Sequence, residues 1–403
     1  MNCVDVAIIG AGLAGVAAAG DLAAAGKSVL VIDKSRGIGG RMATRRHAGT
    51  RIDHGAQFFT ARSERFAAFV NGLVESGIVQ VWSHGFPILV DGLVCARPDG
   101  HPRYACQAGM SELAKQLLPE TVECVLGTQV TSVIRLAAPI GDGVRYEILA
   151  GESTVCLARD VVLNLPPVQL IAVAGDLLTD SERERLLAIE MEPCWALGGC
   201  LAEDIPLNSV ALECQHPVLG WISRNHTRRG AASEPLSIMV HASGAWSASH
   251  LEDDPLDVRN AIEAAMHEIG MPLHWDGDPF IHRWRYAKPV AGLGEDVFRL
   301  TTSPGVYGVG DWCIGGRVEG AVSSGWSSAK ILLYSRNRIP ARDAERRDDY
   351  VKGPVGAGFH ACPRCLKTCR QTGRRRGLPL RMAVLFTGQI NLKILAHFVV
   401  MIT

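Results

Sequence analysis

Net charge is the first thing this sequence lacks. Its 41 Lys and Arg are matched by 41 Asp and Glu, which excludes overall electrostatic attraction as a reason to bind nucleic acid or a membrane surface. No basic segment precedes the first apolar stretch, so that stretch is not expected to be a secretion signal. The 12 cysteines are scattered through the chain. Without a secretion signal they read as reduced thiols in a cytoplasmic protein. Cys3, Cys95, Cys106, Cys124, Cys156, Cys194, Cys200, Cys214 and Cys313 are expected to be small buried or half-buried residues. Only one Cys-x2-Cys pair is present, Cys362 and Cys365, with His360 and Cys369 beside it. No second pair follows, so no metal site is expected. A clean membrane-length apolar run is also missing, because Gln389, Asn391, Lys393 and His397 interrupt Ala383–Thr403. Residues 336–382 hold thirteen basic against four acidic side chains with Pro and Gly breaks. The whole of 336–403 therefore reads as a poorly ordered basic and apolar extension.

What is present begins at once. Val4–Ile9 reads as a buried strand, and it runs into Gly10-Ala11-Gly12-Leu13-Ala14-Gly15 and an alanine-rich helix ending near Gly26. A second apolar strand, Ser28–Ile32, ends on Asp33. This is the G-x-G-x-x-G unit in its required context, with a strand before, a helix after and an acid closing the next strand. Gly10 permits the tight turn, Gly12 lets the backbone approach a pyrophosphate, and Gly15 brings the helix close to the sheet. The helix N-terminus offers N–H groups to the phosphate, and Asp33 is placed to accept from a ribose 2′-hydroxyl. A second glycine-rich loop follows, Gly37-Ile38-Gly39-Gly40-Arg41-Met42. Its paired glycines suit close backbone approach, and Arg41 can offer a charged fork to phosphates.

At 403 residues and 47% apolar, the chain is expected to form two domains with additions. Ser63–Ser76 and Ser181–Met191 read as helices, and Gly109-Met110-Ser111 opens another that runs to Leu118. Strands are expected at 122–126, 130–134, 146–149 and 160–165, the last ended by Pro166-Pro167. From about 175 the pattern changes to strands in series, around 195–202, 208–214, 219–224 and 236–242, before a helix at 256–269. Strands without intervening helices indicate an antiparallel sheet. Val306–Asp311 reads as a strand ending on an acid, and Val318–Tyr334 as a helix after Gly315-Gly316-Arg317.

Taken together, Gly10–Gly15, Asp33–Thr44, Asp53–Phe59, His282–Pro289 (HRWRYAKP) and Gly310–Gly320 (GDWCIGGRVEG) resemble the renalase-like FAD oxidoreductases of the amine-oxidase group, especially the bacterial members. The resemblance covers roughly residues 4–334. It implies an α/β fold in two lobes, like p-hydroxybenzoate hydroxylase. A Rossmann-like FAD domain (1–60, 100–174 and 281–335) would carry an antiparallel-sheet substrate domain (61–99 and 175–280). FAD is expected without a covalent link, since no cysteine or histidine follows the pattern for attachment. The resemblance implies cofactor contacts from Gly10 to Gly15, Asp33, Lys34, Gly40, Arg41, Met42, Ala56, Gln57, Val130 (beside the adenine), Pro166, Asp311 (toward the ribityl hydroxyls), Val318 and Glu319.

Such proteins oxidise stray 2- and 6-dihydro isomers of NAD(P) to NAD(P)⁺, and oxygen then yields hydrogen peroxide. Hydride transfer of this kind requires no nucleophile, metal or strong base from the protein, only a pocket that positions a flat ring. Trp221, His241 and Trp284 occupy the positions that line it. The same fold and an aromatic pocket also suit a flavin amine oxidase acting on a small amine, and Lys288 is compatible with that reading. A flavin-bound scaffold is a third, less complete account of the motifs.

Overall fold

The computed structural model describes residues 2–97, 99–141, 143–228 and 235–334. The expected tail, with its Cys-x2-Cys pair, lies outside them. Five strands form a parallel sheet in the order Glu123–Leu126, Val29–Asp33, Cys3–Ile9, Ser153–Leu163 and Val306–Gly308. The runs of Val, Ile, Leu and Ala in the three central strands are buried on both faces, as a parallel sheet demands, while the edge strand Glu123–Leu126 is partly exposed. Val6 and Ile8 join the core on one side, and Ala7 and Ile9 the core on the other. Ser153–Leu163 is longer than expected because its first half pairs antiparallel with Val144–Ala150. Ser132–Ile140 and Phe298–Arg299 complete eight strands.

The helix Leu13–Ala24 is packed from Leu13 to Ala19 on small side chains that let its neighbours come close. A Cβ on Gly325, in the helix Val318–Tyr334, would lie 2.1 Å from Ala14 O, and one on Gly20 would lie 2.4 Å from Leu117 O. These helices therefore pack backbone to backbone, with glycine at each crossing. The charged helix starts at Asp180, where Thr179 and Glu182 form a reciprocal cap, and ends at Leu187. It does not reach Met191, which already begins the next strand.

A second sheet of seven strands follows the order Phe280–Pro289, Met191–Cys200, Ser237–Ala242, Leu219–Arg224, Ala211–Gln215, Ile88–Val90 and Leu93–Cys95. All its pairs are antiparallel, as expected, except Ala211–Gln215 with Ile88–Val90, which is parallel. Strand alternation divides its two faces. Trp195, Leu197, Ile222, Ile238 and Val240 pack with Val258, Ile262, Ala265 and Met266 of the helix Pro255–Glu268. The opposite face carries Trp221, Ser223, His241, His282 and Trp284, and Ile52 packs there with Ala196, Met239 and Phe280. Phe280–Pro289 belongs to this second sheet by its pairing with Met191–Cys200. The chain therefore returns to the first sheet after Pro289, not at 281 as expected. The cause is non-local pairing, which no local pattern reveals.

All described residues fall in one compact unit. No helix among them is long and apolar enough to cross a membrane. Cys106, Cys156, Cys200 and Cys313 are buried, whereas Cys3 and Cys95 are exposed, contrary to the sequence reading. A short antiparallel hairpin, Thr44–His47 with Thr50–Asp53, links the two sheets. It turns through Ala48 and Gly49, both at positive φ (44° and 79°).

Candidate functional site

The two glycine loops meet at the carboxyl ends of the parallel strands, where Cys3–Ile9 and Ser153–Leu163 diverge to their connecting segments. Open α/β sheets place ligands at this switch point. Gly10 has φ of 102°, and a Cβ there would lie 2.2 Å from Asn164 O. On Gly12 it would meet Asn164 Oδ1 at 2.7 Å, and on Gly15 it would meet Gly10 O at 2.2 Å. Asn164 accepts from Gly15 N–H (3.0 Å) and donates to Val309 O (3.2 Å), tying the glycine turn to the last parallel strand. Sequence reasoning passed over Asn164, although it lies one residue beyond the strand that pairs with the first. The helix opens with Val16 N–H donating to Gly12 O, so the N–H groups of Leu13 and Ala14 precede the ladder.

Asp33 accepts from Ala11 N–H and Ser35 N–H, both at 2.7 Å. A carboxylate has about four acceptor positions, so capacity for a ligand hydroxyl is left. Lys34 is exposed, Met42 and Val130 are buried, and Pro166 precedes the helix Pro167–Ala174. Thr128 N–H donates to Asp33 O, which keeps the segment leading to Val130 beside the acid. The second loop docks on the first through Gly39 N–H to Ala11 O (2.7 Å). Gly40 has φ of 54°, and a Cβ there would lie 3.3 Å from Gly12 Cα. Arg41 forms a bidentate pair with Asp311 at 2.6 and 2.9 Å and donates to Ala287 O at 3.0 Å. Two groups expected on separate parts of a cofactor thus meet each other.

Two expected contacts point elsewhere. Gln57 is buried and donates to Asp53 O and Gly55 O, while its Oε1 accepts from Ser223 (2.8 Å) and Arg228 (2.5 Å). Glu319 accepts from Arg62 N–H and Ser63 N–H, capping the helix Glu64–Glu75. Their side chains are committed to protein partners, which leaves backbone groups and Ala56 for a ligand. Ala56 N–H donates to Arg41 O at 2.9 Å. In the first turn of Val318–Tyr334, Ala321 N–H is bonded to Arg317 O, so the N–H groups of Val318, Glu319 and Gly320 precede that ladder.

His241 and Trp284 converge on one atom, the carbonyl oxygen of His54. Trp284 Nε1–H donates to it at 2.8 Å, and His241 Nε2 lies 3.2 Å from it. A carbonyl only accepts, so the proton of His241 belongs on Nε2. The His54 ring stacks on Trp284 (centroids 5.3 Å apart, 21° between planes) and meets His282 edge-on at 4.8 Å. Trp221, opposite His241 in the sheet register, sits instead between Phe58 and Phe86. Its Nε1 is buried without an acceptor among the described residues. Cys194 and Ala196 lie on the strand between, opposite Trp284 and His241 respectively.

The imidazoles of this group are held neutral. Burial is the main cause of lowering His54 from 6.5 to about 3, with the charges of His282, Arg45 and His241 adding to it. Burial lowers His241 to about 4, partly offset by its bond to the His54 backbone. His282 is lowered by burial and by Arg45. His54 and His282 were not singled out from sequence. The alternation His282-x-Trp284 was a readable signal, since both must face the same side of a strand.

Beneath them lies a buried ion pair, Asp53 with Arg228 at 2.9 Å, both almost fully inaccessible. Asp53 also accepts from Thr44 Oγ1 and Met110 N–H, and Asn225 joins the cluster through Asp53 N–H and Ser237. Arg228 lies over the Trp82 ring. Nothing in the sequence signalled Arg228 or Asn225, which fall in a short connection after Leu219–Arg224.

Residues 8–73 match the model of the NAD(P)-binding Rossmann-like domain. Among solved structures, a protein from Exiguobacterium sp. 255-15 named as a protoporphyrinogen oxidase is 15% identical with a TM-score of 0.65. The match covers 82% of this chain and 99% of that one. The fold is that of FAD-dependent oxidoreductases. Putrescine oxidase bound to putrescine is 13% identical, with a TM-score of 0.59 and coverage of 82% and 99%. A CLA-producing fatty acid isomerase from P. acnes is also 13% identical (TM-score 0.57, coverage 83% and 99%). At these identities the likeness is one of fold, and a fold that serves both oxidases and an isomerase does not fix the reaction.

Proposed function

We propose that the protein is an FAD-dependent oxidase that takes hydride from 2- or 6-dihydro-NAD(P), giving NAD(P)⁺ and, with oxygen, hydrogen peroxide. FAD fits the residues present: two docked glycine loops at the switch point, free N–H groups at two helix N-termini, and acids at Asp33 and Asp311. Non-covalently bound, it would supply the hydride acceptor that oxygen regenerates. Gly10–Gly15 and Gly40–Arg41 would hold its pyrophosphate, Asp33 its ribose, and Asp311 with the start of Val318–Tyr334 its remaining polar edge. The cofactor lobe would comprise 1–60, 100–174 and the chain after 289, with 61–99 and 175–289 over it.

The observation that carries the substrate reading is the wall of neutral rings, His54, His241, His282 and Trp284, fixed through one carbonyl. Such a wall orients a flat, uncharged ring and excludes water from it, which is what hydride removal from a dihydropyridine asks of a protein. A second reading, a small-amine oxidase, is kept in view by the shared fold with putrescine oxidase and by Lys288 beside Gly316.

Anaerobic mixing of the oxidised protein with borohydride-reduced NAD, which contains the 2-, 4- and 6-dihydro isomers, tests the choice. Fast bleaching of the yellow colour by the 2- or 6-isomer is expected, with ordinary 4-dihydro-NADH reacting far more slowly. Air should then restore the colour and release hydrogen peroxide. Bleaching by primary or secondary amines, with none by any dihydropyridine, would overturn the proposal in favour of the amine reading.

A further inference from the structure

The hairpin between the sheets carries Arg45, Arg46, His47 and Arg51, and its only carboxylate, Asp53, is buried against Arg228. Register sorts these cations onto two faces. Arg46 and Arg51 are directly opposite each other, on the side where Arg51 donates to Ala108 O. Arg45 and His47 share the other side with Ile52, toward the aromatic wall. The Arg45 guanidinium lies 4.4 Å from the centre of the Phe280 ring, and the His47 ring meets the same Phe280 at 5.2 Å. Phe280 in turn meets His54 at 6.1 Å. Arg45 is exposed, and among the described residues neither it nor Arg46 has a carboxylate partner.

An exposed arginine held over an aromatic ring, with no acid to neutralise it among the described residues, is preorganised for a phosphate. Phe280 lies between Arg45 and His54, so a ligand with its ring against His54 and Trp284 would carry its charge toward Arg45. We propose that Arg45, with His47 beside it, is an anion-binding position that takes a phosphate of a dinucleotide substrate. This rests on the dihydronicotinamide reading above, and it adds a specificity determinant for the phosphorylated part of that substrate. The charge of Arg45 already reaches the wall, since it helps to keep His54 and His282 neutral.

The test uses the FAD-loaded protein and ADP-ribose, an unreactive fragment that carries the pyrophosphate without the nicotinamide, followed by calorimetry. Arg45→Gln should weaken ADP-ribose binding about tenfold, the low end for a charge-assisted bond at an exposed site. Arg46→Gln, on the opposite face, should change it less than about twofold. In turnover at pH 7.5, Arg45→Gln should raise KM for 6-dihydro-NAD by a similar factor, and should raise KM for dihydronicotinamide riboside, which has no phosphate, by much less. Inorganic pyrophosphate should compete with ADP-ribose in the unaltered protein, and failure to compete would overturn the assignment of a phosphate to Arg45. Should Arg45→Gln fail to fold because Phe280 loses its cover, Arg45→Met keeps the apolar stem and removes the charge. Absence of ADP-ribose binding by the unaltered protein, equal binding by the Arg45 variants, or equal losses in Arg46→Gln would each overturn the proposal. Arg45-dependent ADP-ribose binding without bleaching by any dihydropyridine would leave the anion site standing and sink the oxidase reading alone.

Discussion

Acidification should destabilise this protein well before its carboxylates titrate, and His54 should account for much of the loss. Unfolded, its imidazole titrates at the ordinary 6.5; folded, it titrates at about 3. Above pH 6.5 both states are neutral and His54 adds no pH dependence. As pH falls from 6.5, the unfolded chain takes up a proton that the folded site refuses. Stability therefore declines through the window down to the folded pKa. Each group costs about 1.4 kcal/mol per pH unit in that window. At pH 5 this is about 2 kcal/mol for His54, and about the same for His241, whose folded pKa is about 4. Together they approach about 4 kcal/mol, an upper bound because the two rings repel each other once charged. Against a whole-protein stability of about 5–15 kcal/mol this is a large share. Urea midpoints measured at pH 7.5, 6 and 5 report it. His54→Phe preserves a flat ring against Trp284 and His282 and removes the titration, so its loss between pH 7.5 and 5 should be smaller by about 2 kcal/mol. Equal slopes for the variant and the unaltered protein would mean that His54 titrates alike in the folded and unfolded states, and the claim that burial holds it neutral on acidification would have to be abandoned.

Breaking the buried pair should cost more than removing it. Asp53→Asn removes the buried carboxylate that pairs with Arg228 and should destabilise by about 3–5 kcal/mol, while Asp53→Asn with Arg228→Met should recover part of that loss in urea unfolding. Glycine substitutions should separate by position. Gly15→Ala, with Gly10 O at 2.2 Å, should cost at least about 1–3 kcal/mol, whereas Gly72→Ala, in a helix with open space around it, should gain about 0.5–1 kcal/mol by thermal unfolding. Asp33→Ala and Asp311→Ala should each purify folded by circular dichroism but with reduced yellow colour; full FAD content in both would place the cofactor elsewhere.

The parts of the fold written in short stretches were legible. A strand, a glycine turn, a helix and an acid follow one another within about thirty residues, and each is set by its neighbours in sequence. The row formed by Trp221, His241 and His282 across the second sheet was half legible. Alternation says which side chains share a face of one strand, but register decides which strands lie side by side. What could not be read was pairing at long range. Asn164 holds a turn 149 positions away, and Glu319 caps a helix 256 positions before it. Arg228 lies 175 positions from the carboxylate it neutralises. The direction of Gln57 follows from that last pair, because Arg228 draws its amide oxygen into the buried cluster.

Five consecutive residues show why these distant contacts form one site. Asp53 is fixed by Arg228, in the connection that follows Leu219–Arg224, and by Thr44 across the hairpin. His54 offers its carbonyl to Trp284 and His241 and its ring to the aromatic wall. At Gly55 a Cβ would lie 1.9 Å from Arg41 O and 3.4 Å from Trp284, so the glycine loop and the wall close on the same point. Ala56 N–H is bonded to Arg41 O, and Gln57 returns to Ser223 and Arg228. The backbone from 53 to 57 thus touches the Gly-Gly-Arg loop on one side and three strands of the second sheet on the other. A shift of this segment would move the Gly-Gly-Arg loop and the ring wall together. The hydride transfer proposed above would need its reacting groups held within about an ångström. A joint with buried, fully bonded side chains at both ends is the part of this fold that supplies such precision.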